Sequence, residues 1–367
     1  MEVIMAKKLV ELEEETFQED DTNELPPPDV VAYNELRSCA DLFRMKKDGI
    51  LEIQPEFQRE KDAWNAPART RFIDSLIKEL PIPSMCFSVD SKTRKWLVID
   101  GLQRMATIID FLSGEKWTLS KLEDIDPKIS GQSVSEFADK NSKLHSYYTR
   151  IENLTLPITV LRCDYSNAIH VEYLFTIFHR LNTGGVKLNN QEIRNCIFSG
   201  RLNNLLKELD ENSAWRKINR MKKDISHRFA KQELLLRFFA FHDKYKSYEG
   251  KLAKFLNRYM KDNRSPDEKF LNAKKELFNR TVDVIYKKIF EGKIPKKLSI
   301  SVLEAVLVGV SSNLDFLESQ PNGKVQTMHE KLLEHAAFSE KELIEGLARK
   351  DKVIERMSVS IKIFSGR

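Results

Sequence analysis

The chain has no apolar run long enough to span a bilayer, and its first residues lack the basic-then-apolar order of a secretory signal. A cytoplasmic location is expected and a membrane role is not. Cysteine is scarce: Cys39, Cys86, Cys163 and Cys196 are scattered, with no Cys-x-x-Cys pair. That reads as reduced core thiols and argues against a zinc site. Gly-x-x-x-x-Gly-Lys-Ser/Thr is missing, which excludes an ordinary P-loop. His-Glu-x-x-His is missing too, and the seven histidines are dispersed, so no metal-ligand set is assigned. No Ser-His-Asp set is recognisable and no repeat of fixed period is present.

What is present is a chain of 367 residues, 41% hydrophobic and 31% charged, enough for a substantial core in two or three domains. The net charge of +5 is mild, but its distribution is uneven. Residues 11–24 carry Glu11, Glu13, Glu14, Glu15, Glu19, Asp20, Asp21 and Glu24 without a single Lys or Arg, and Pro26-Pro27-Pro28 follows. Residues 1–28 therefore read as an acidic, flexible arm ending in a stiff stop. A solvated tail accounts for it, as does a segment that mimics nucleic acid or binds a partner.

Beyond the prolines, Asn34 to Lys47 reads as a helix closed by Gly49, and Ile50 to Ile53 as a short strand. Pro67 suits a first helical turn, with Phe72, Leu76 and Leu80 as the buried face. Met85–Val89 and Lys95–Ile99 read as strands joined by an Asp90-Ser91-Lys92 turn. Met105, Ile108, Ile109 and Leu112 mark one face of a helix over Arg104–Leu112. Residues 115–150 show no period, and Leu156–Cys163 is a further strand. A helix over Asn167–Leu181 carries Ile169, Tyr173, Ile177 and Leu181 on one stripe, ended by Asn182-Thr183-Gly184-Gly185. Asn189 and Glu192 have capping-box spacing for the next helix. Helices then follow over 201–210, 228–247, 250–261, 266–291, 299–316, 324–336 and 338–356. The expected class is α+β, with a small mixed sheet followed by an all-α half.

Three polar clusters interrupt these elements: Phe57-Gln58-Arg59-Glu60; Asp100-Gly101-Leu102-Gln103-Arg104 with Thr107 one turn on; and His179-Arg180-Leu181-Asn182-Thr183-Gly184-Gly185. The second is the most informative. A strand stops at Asp-Gly and a helix begins at once, aiming backbone N–H groups and an arginine at one point, which suits an anion. Each cluster also has a plain structural reading: Asp100 as a turn former, Asn182 to Gly185 as a helix C-cap, Arg59 as a surface residue. A fourth feature is basic: Arg216, Lys217, Arg220, Lys222, Lys223, Arg228 and Lys231, with Asp224 the only acid among them. It suits tracking of DNA phosphates or a solvated helix face.

Ile53-Gln54-Pro55-Glu56-Phe57-Gln58-Arg59-Glu60, Trp64, Phe72-Ile73-Asp74-Ser75-Leu76-Ile77, Leu80-Pro81-Ile82-Pro83 and Ile99-Asp100-Gly101-Leu102-Gln103-Arg104 occur in this order. Together with Phe178 to Leu188 and Gln191-Glu192-Ile193-Arg194, they resemble domain-of-unknown-function family 262. That family includes the N-terminal part of GmrSD-type modification-dependent restriction enzymes and belongs to the ParB/sulfiredoxin-like superfamily. The resemblance covers about residues 35–200. It implies a ParB-like nucleotide-binding domain over 29–200, with the helical domain over 201–367. The family signature Asp-Gly-Gln-Gln-Arg is tied to nucleoside triphosphate hydrolysis and control of a linked nuclease. Asp100, Gly101, Gln103 and Arg104 match it; Leu102 stands where the first glutamine belongs. If that position faces the ligand, hydrolysis weakens while binding survives; if it faces the core, leucine is harmless. The His/Asn pattern of the C-terminal HNH nuclease carried by longer relatives is missing from the helical half.

The resemblance therefore implies a hydrolase of an anti-phage or restriction system, with GTP or ATP as substrate and Mg²⁺ as its candidate companion. Asp100, Gln103, Arg104 and Glu60 are the expected catalytic residues. Gln58, Arg59, Gly101, Thr107, Arg180, Asn182, Thr183 and Gly184 are expected to hold the nucleotide. Arg216, Lys217, Arg220, Lys222 and Lys223 are expected to touch DNA. A separate nuclease subunit and a homo-oligomer fit this picture. Two rivals stay open: a catalytically weak DNA-binding adaptor, and a ParB-like nuclease that nicks DNA.

Overall fold

The computed structural model describes residues 27–53, 64–114, 117–181, 190–219, 230–294, 299–343 and 346–367. Two compact units part between Leu188 and Asn189.

The first unit is built on a mixed five-stranded sheet. Its strands are β1 (Val31–Ser38), β2 (Leu51–Glu52), β3 (Met85–Asp90), β4 (Trp96–Asp100) and β5 (Thr155–Cys163), in spatial order β1-β5-β3-β4-β2. β1 is antiparallel to β5 and β3 to β4, while β5 and β3, and β4 and β2, run parallel. β3 is central and buried throughout. Met85, Phe87 and Val89 on one of its faces join Val98, Ile158 and Val160 in the main core. That core is completed by helices α1 (Cys39–Lys47), α2 (Ala66–Ile77), α3 (Leu102–Leu112), the short α4 (Val134–Ala138) and α5 (His145–Asn153). Helix α6 (Ala168–Leu181) packs by β4.

Three sequence expectations change here. Asn34–Ser38 is strand rather than helix: β1 pairs residue by residue with β5, from Val31 opposite Arg162 to Ser38 opposite Thr155. Cross-strand pairing overrides the local preference. The helix starts only at Cys39, where Ser38 Oγ accepts the Asp41 N–H at 3.1 Å as an N-cap. On α6 the buried stripe is Val171, Leu174, Phe175 and Phe178, whereas Ile169 and Leu181 are exposed. Both sets have helical spacing, and the one with two phenylalanines buries more apolar area. Leu80 is exposed because α2 already stops at Ile77 and Glu79 takes a positive φ of 53°. Pro67, by contrast, lies in the first turn of α2 as expected, and Asn65 caps that helix.

α2 also explains the irregular stretch after α3. Thr70 Oγ accepts from Ser120 N at 2.9 Å, and the buried Asp74 accepts from Asp126 N at 3.1 Å and from Lys78 Nζ at 2.6 Å. Polar groups on one helix thus satisfy the backbone of a loop that has no period of its own.

The second unit is helical: α7 (Asn190–Ile197), α8 (Arg201–Asp210), α9 (Ser213–Ile218), α10 (Ala230–Lys244), α11 (Leu252–Asp262), α12 (Glu268–Val284, continuing through a π turn to Ile289), α13 (Ile300–Ser311), α14 (Leu314–Ser319), α15 (Asn322–Glu334) and α16 (Lys350–Phe364). Its final helix begins twelve residues later than the pattern predicts, after Gly346 at φ 58°. α7 belongs to this unit, so the division falls ahead of residue 200. Arg194 of α7 is buried and bonds Asn257 of α11 at 2.9 Å and Glu233 of α10 at 2.9 Å. Arg237 extends the network, bonding Glu233 at 2.5 Å and Glu304 of α13 at 2.9 Å. Two arginines and two glutamates balance in charge, which is what allows them to be buried together. Gln191 bonds Arg194 and Asn195 inside the same network, a packing role for a residue of the family-like motif.

No helix among the described residues is long and apolar enough to cross a membrane.

Candidate functional site at the strand-to-helix turn

β4 leads straight into α3 through Gly101, which sits in the left-handed region at φ 94°, ψ 15°. A Cβ there would lie 2.6 Å from Met85 Cγ, so the turn needs glycine for both conformation and space. The pairing of β3 with β4 slips just before this turn. Phe87 faces Val98, yet Cys86 faces Asp100, leaving Ile99 as an extra residue. A bulge re-aims the side chains beyond it, and here it sets Asp100 against Cys86, on the sheet face opposite Phe87.

Arg104, one helical turn on, donates from one guanidinium nitrogen to Asp100 Oδ2 at 2.8 Å and from another to the Pro83 carbonyl at 2.5 Å. Strand end, first helical turn and the loop before β3 are thereby fastened together. The role of the Leu-Pro-Ile-Pro segment lies in this bond: it presents a carbonyl to the arginine. Nothing in the Pro83 side chain signals that use. Gln103 Oε1 accepts from Trp64 N at 3.1 Å, which ties the turn to the start of α2, four residues after Glu60 in sequence. Thr107 is buried and its hydroxyl donates to the Gln103 carbonyl at 2.8 Å. Leu102, the departure from the family signature, packs against the main hydrophobic core. Arg180 is exposed on the last turn of α6.

Gln58, Arg59, Glu60, Asn182, Thr183 and Gly184 lie outside the described residues, as does the Asn189 cap. So do Arg220, Lys222 and Lys223 of the basic segment. Of its described members, Arg216 is ion-paired with Glu211 and donates to the Asp210 carbonyl, and Lys217 reaches the Tyr286 hydroxyl at 3.1 Å.

The electrostatics at the turn favour hydrogen bonding over thiol chemistry. Burial, followed by the nearby charges of Asp100 and Cys163, pushes the Cys86 thiol up to about 12, so it is no nucleophile at neutral pH. Burial does the same to Cys39 and Cys163. Among the described residues no three His, Cys, Asp or Glu side chains converge as metal ligands. What the turn does offer is a carboxylate one-third exposed, an arginine with two of its five N–H donors committed, and a helix N-terminus beside them.

Residues 39–199 match the family model described as the GmrSD restriction endonuclease, N-terminal domain, so this part of the chain is similar to that family. No curated protein and no solved structure gives a significant match.

Proposed function

We propose that the protein is a DNA-associated component of a GmrSD-like restriction or anti-phage defence system, and that its ParB-like N-terminal unit binds and slowly hydrolyses a nucleoside triphosphate. The observation that carries this reading is the joined Asp100–Arg104 pair at a glycine-only turn, with the half-buried Leu102 packed against the core. The one signature position that differs is thus a packing position, and the polar members of the signature stay grouped at the helix start.

In this reading the backbone amides opening α3 and the remaining donors of Arg104 hold the phosphates. Phosphoryl transfer needs mainly positioning and charge stabilisation, which a fixed arginine supplies. Asp100 orients the arginine and is the described carboxylate that would hold Mg²⁺, an ion that takes one or two carboxylates together with substrate phosphates. Glu60 and Gln103 orient the attacking water. Gln58, Arg59, Asn182, Thr183 and Gly184 are the further residues that this reading assigns to the nucleotide. The basic segment from Arg216 to Lys223 contacts DNA, and a separate nuclease subunit performs cleavage.

One observation favours a second reading, a DNA-binding adaptor. Arg104 already has protein partners in Asp100 and Pro83, as a purely structural turn would require. Wild type and Arg104→Ala, incubated with labelled GTP, ATP and plasmid DNA with and without Mg²⁺, separate the two. Arg104-dependent phosphate release supports the hydrolase. A DNA shift without turnover supports the adaptor, and plasmid nicking moves the chemistry to a DNA phosphate.

A further inference from the structure

One register line crosses four adjacent strands on the face that Asp100 shares with Cys86. Asn34 of β1 pairs with Thr159 of β5, Thr159 with Cys86 of β3, and Cys86 with Asp100 of β4. Three strand spacings make this line about 14 Å long. Its far end is polar and open to solvent. Thr159 Oγ1 donates to Asn34 Oδ1 at 2.8 Å, and Ser84 Oγ lies 3.2 Å from Thr159 Oγ1. Asn34 and Ser84 are exposed and Thr159 is half-buried. Two residues along the same face, Leu36 is 70% exposed and stands opposite Pro157. At its near end the line reaches the Asp100–Arg104 pair, and Pro83, which holds Arg104, directly precedes Ser84.

The chemistry of the far end is neutral and directional. With Thr159 donating to the exposed Asn34, the Asn34 carbonyl oxygen is engaged and its amide N–H groups remain as donors. Ser84 Oγ keeps a lone pair to offer. A donor at one end of a row and an acceptor at the other suit neighbouring hydroxyls, each of which both donates and accepts. No charge in the row selects a phosphate; that selection belongs to Arg104. Leu36 and Pro157 add an apolar surface for a flat ring.

We propose that Ser84, Thr159 and Asn34 form the sugar subsite of the nucleotide pocket, binding the ribose hydroxyls while the phosphates lie over the Gly101 turn. This rests on the nucleotide reading above, and it adds a preference for ribonucleotides over 2′-deoxyribonucleotides that the Asp-Gly-Leu-Gln-Arg signature does not contain.

Equilibrium binding of GTP, ATP, their 2′-deoxy forms and inorganic tripolyphosphate tests it, on the full chain, in wild type, Thr159→Val, Asn34→Ala and Arg104→Ala. Thr159→Val keeps side-chain volume and branching in the strand, and Asn34→Ala lies on an exposed edge; thermal melting checks that both are folded. Wild type should bind a ribonucleotide about tenfold more tightly than its deoxy form, the worth of one good hydrogen bond. Both subsite variants should lose that preference and leave tripolyphosphate binding unchanged. If wild type binds both forms equally and Arg104→Ala weakens both, the nucleotide reading stands and the sugar subsite falls. The subsite also falls if both folded variants retain the full preference. If wild type binds none of the five probes, the nucleotide reading itself fails and the subsite with it.

Discussion

Replacing Gly101 by alanine isolates the demand the Asp100–Arg104 turn makes on its sequence. Two costs are readable from the structure. A side chain at φ 94° sits in the left-handed region, which costs roughly 1–2 kcal/mol for a non-glycine residue. The new Cβ would also meet Met85 Cγ at 2.6 Å and Sδ at 2.9 Å, in a side chain only 1% exposed. Overpacking of this kind costs about 1–3 kcal/mol. The sum is a loss of about 2–5 kcal/mol from the first unit. Three of the four tryptophans, Trp64, Trp96 and Trp117, belong to this unit, so urea unfolding followed by tryptophan fluorescence reports mainly on it. With a urea dependence of about 1–3 kcal/mol per M, the midpoint should fall by at least about 0.7 M. Met85→Ala in the same background should relieve the clash but not the backbone strain. The double variant should then lose less than the two single variants summed, by about 1–3 kcal/mol. A midpoint within about 0.3 M of wild type for Gly101→Ala, or strict additivity with Met85→Ala, would refute this account of the turn.

Leu102→Gln restores the family's residue at a position that packs against the core. It should cost about 1 kcal/mol of stability and leave any phosphate release unchanged in a malachite-green assay; a several-fold gain in release would place this side chain at the ligand instead. In the helical unit, Glu304→Ala removes a buried counter-charge from Arg237 and should destabilise by about 3–5 kcal/mol. Arg237→Met combined with Glu304→Leu should recover most of that loss, as chemical denaturation will show, because Arg194 and Glu233 stay paired. Two acid-sensitive groups add a pH dependence. Burial pushes the His329 imidazole down from its ordinary 6.5 to about 4. The unfolded chain therefore takes up a proton first, and stability present above pH 6.5 declines as pH falls towards 4, by about 3 kcal/mol in all. His329→Leu should flatten thermal-melt midpoints over that window. Burial opposes the Glu233 charge, but Arg237 and Arg194 outweigh it and hold this carboxyl below its ordinary value. Its contribution is complete above the ordinary glutamate range and is lost as pH falls below it, so Glu233→Gln should reduce the acid sensitivity that remains in His329→Leu.

Much of the sheet unit was legible from local pattern. The strands at 85–90 and 96–100, the helix after Gly101 and the helix start at Pro67 follow from alternation, from a 3.6-residue period and from proline's fixed φ. β1 was misread because its partner lies more than a hundred residues away in sequence, and only β5 fixes it as a strand. The face of α6 was misread because two apolar stripes compete along one helix, and periodicity alone does not rank them. The polar line through Thr159 was invisible for a related reason: its members come from four segments that only strand pairing brings into register.

The Asp100-Gly101-Leu102-Gln103-Arg104 turn marks the boundary between the two kinds of information. The sequence by itself determined that a strand must stop, that glycine must turn the chain and that a helix must start with polar residues in its first turn. Those are short-range requirements of backbone conformation and helix termini. The tertiary structure alone decided what each side chain there does. A one-residue slip between β3 and β4 sets Asp100 opposite Cys86, the Pro83 carbonyl captures Arg104, and Leu102 packs against the core. Each of these depends on atoms distant in sequence, whose meeting is set by strand register and packing rather than by spacing along the chain.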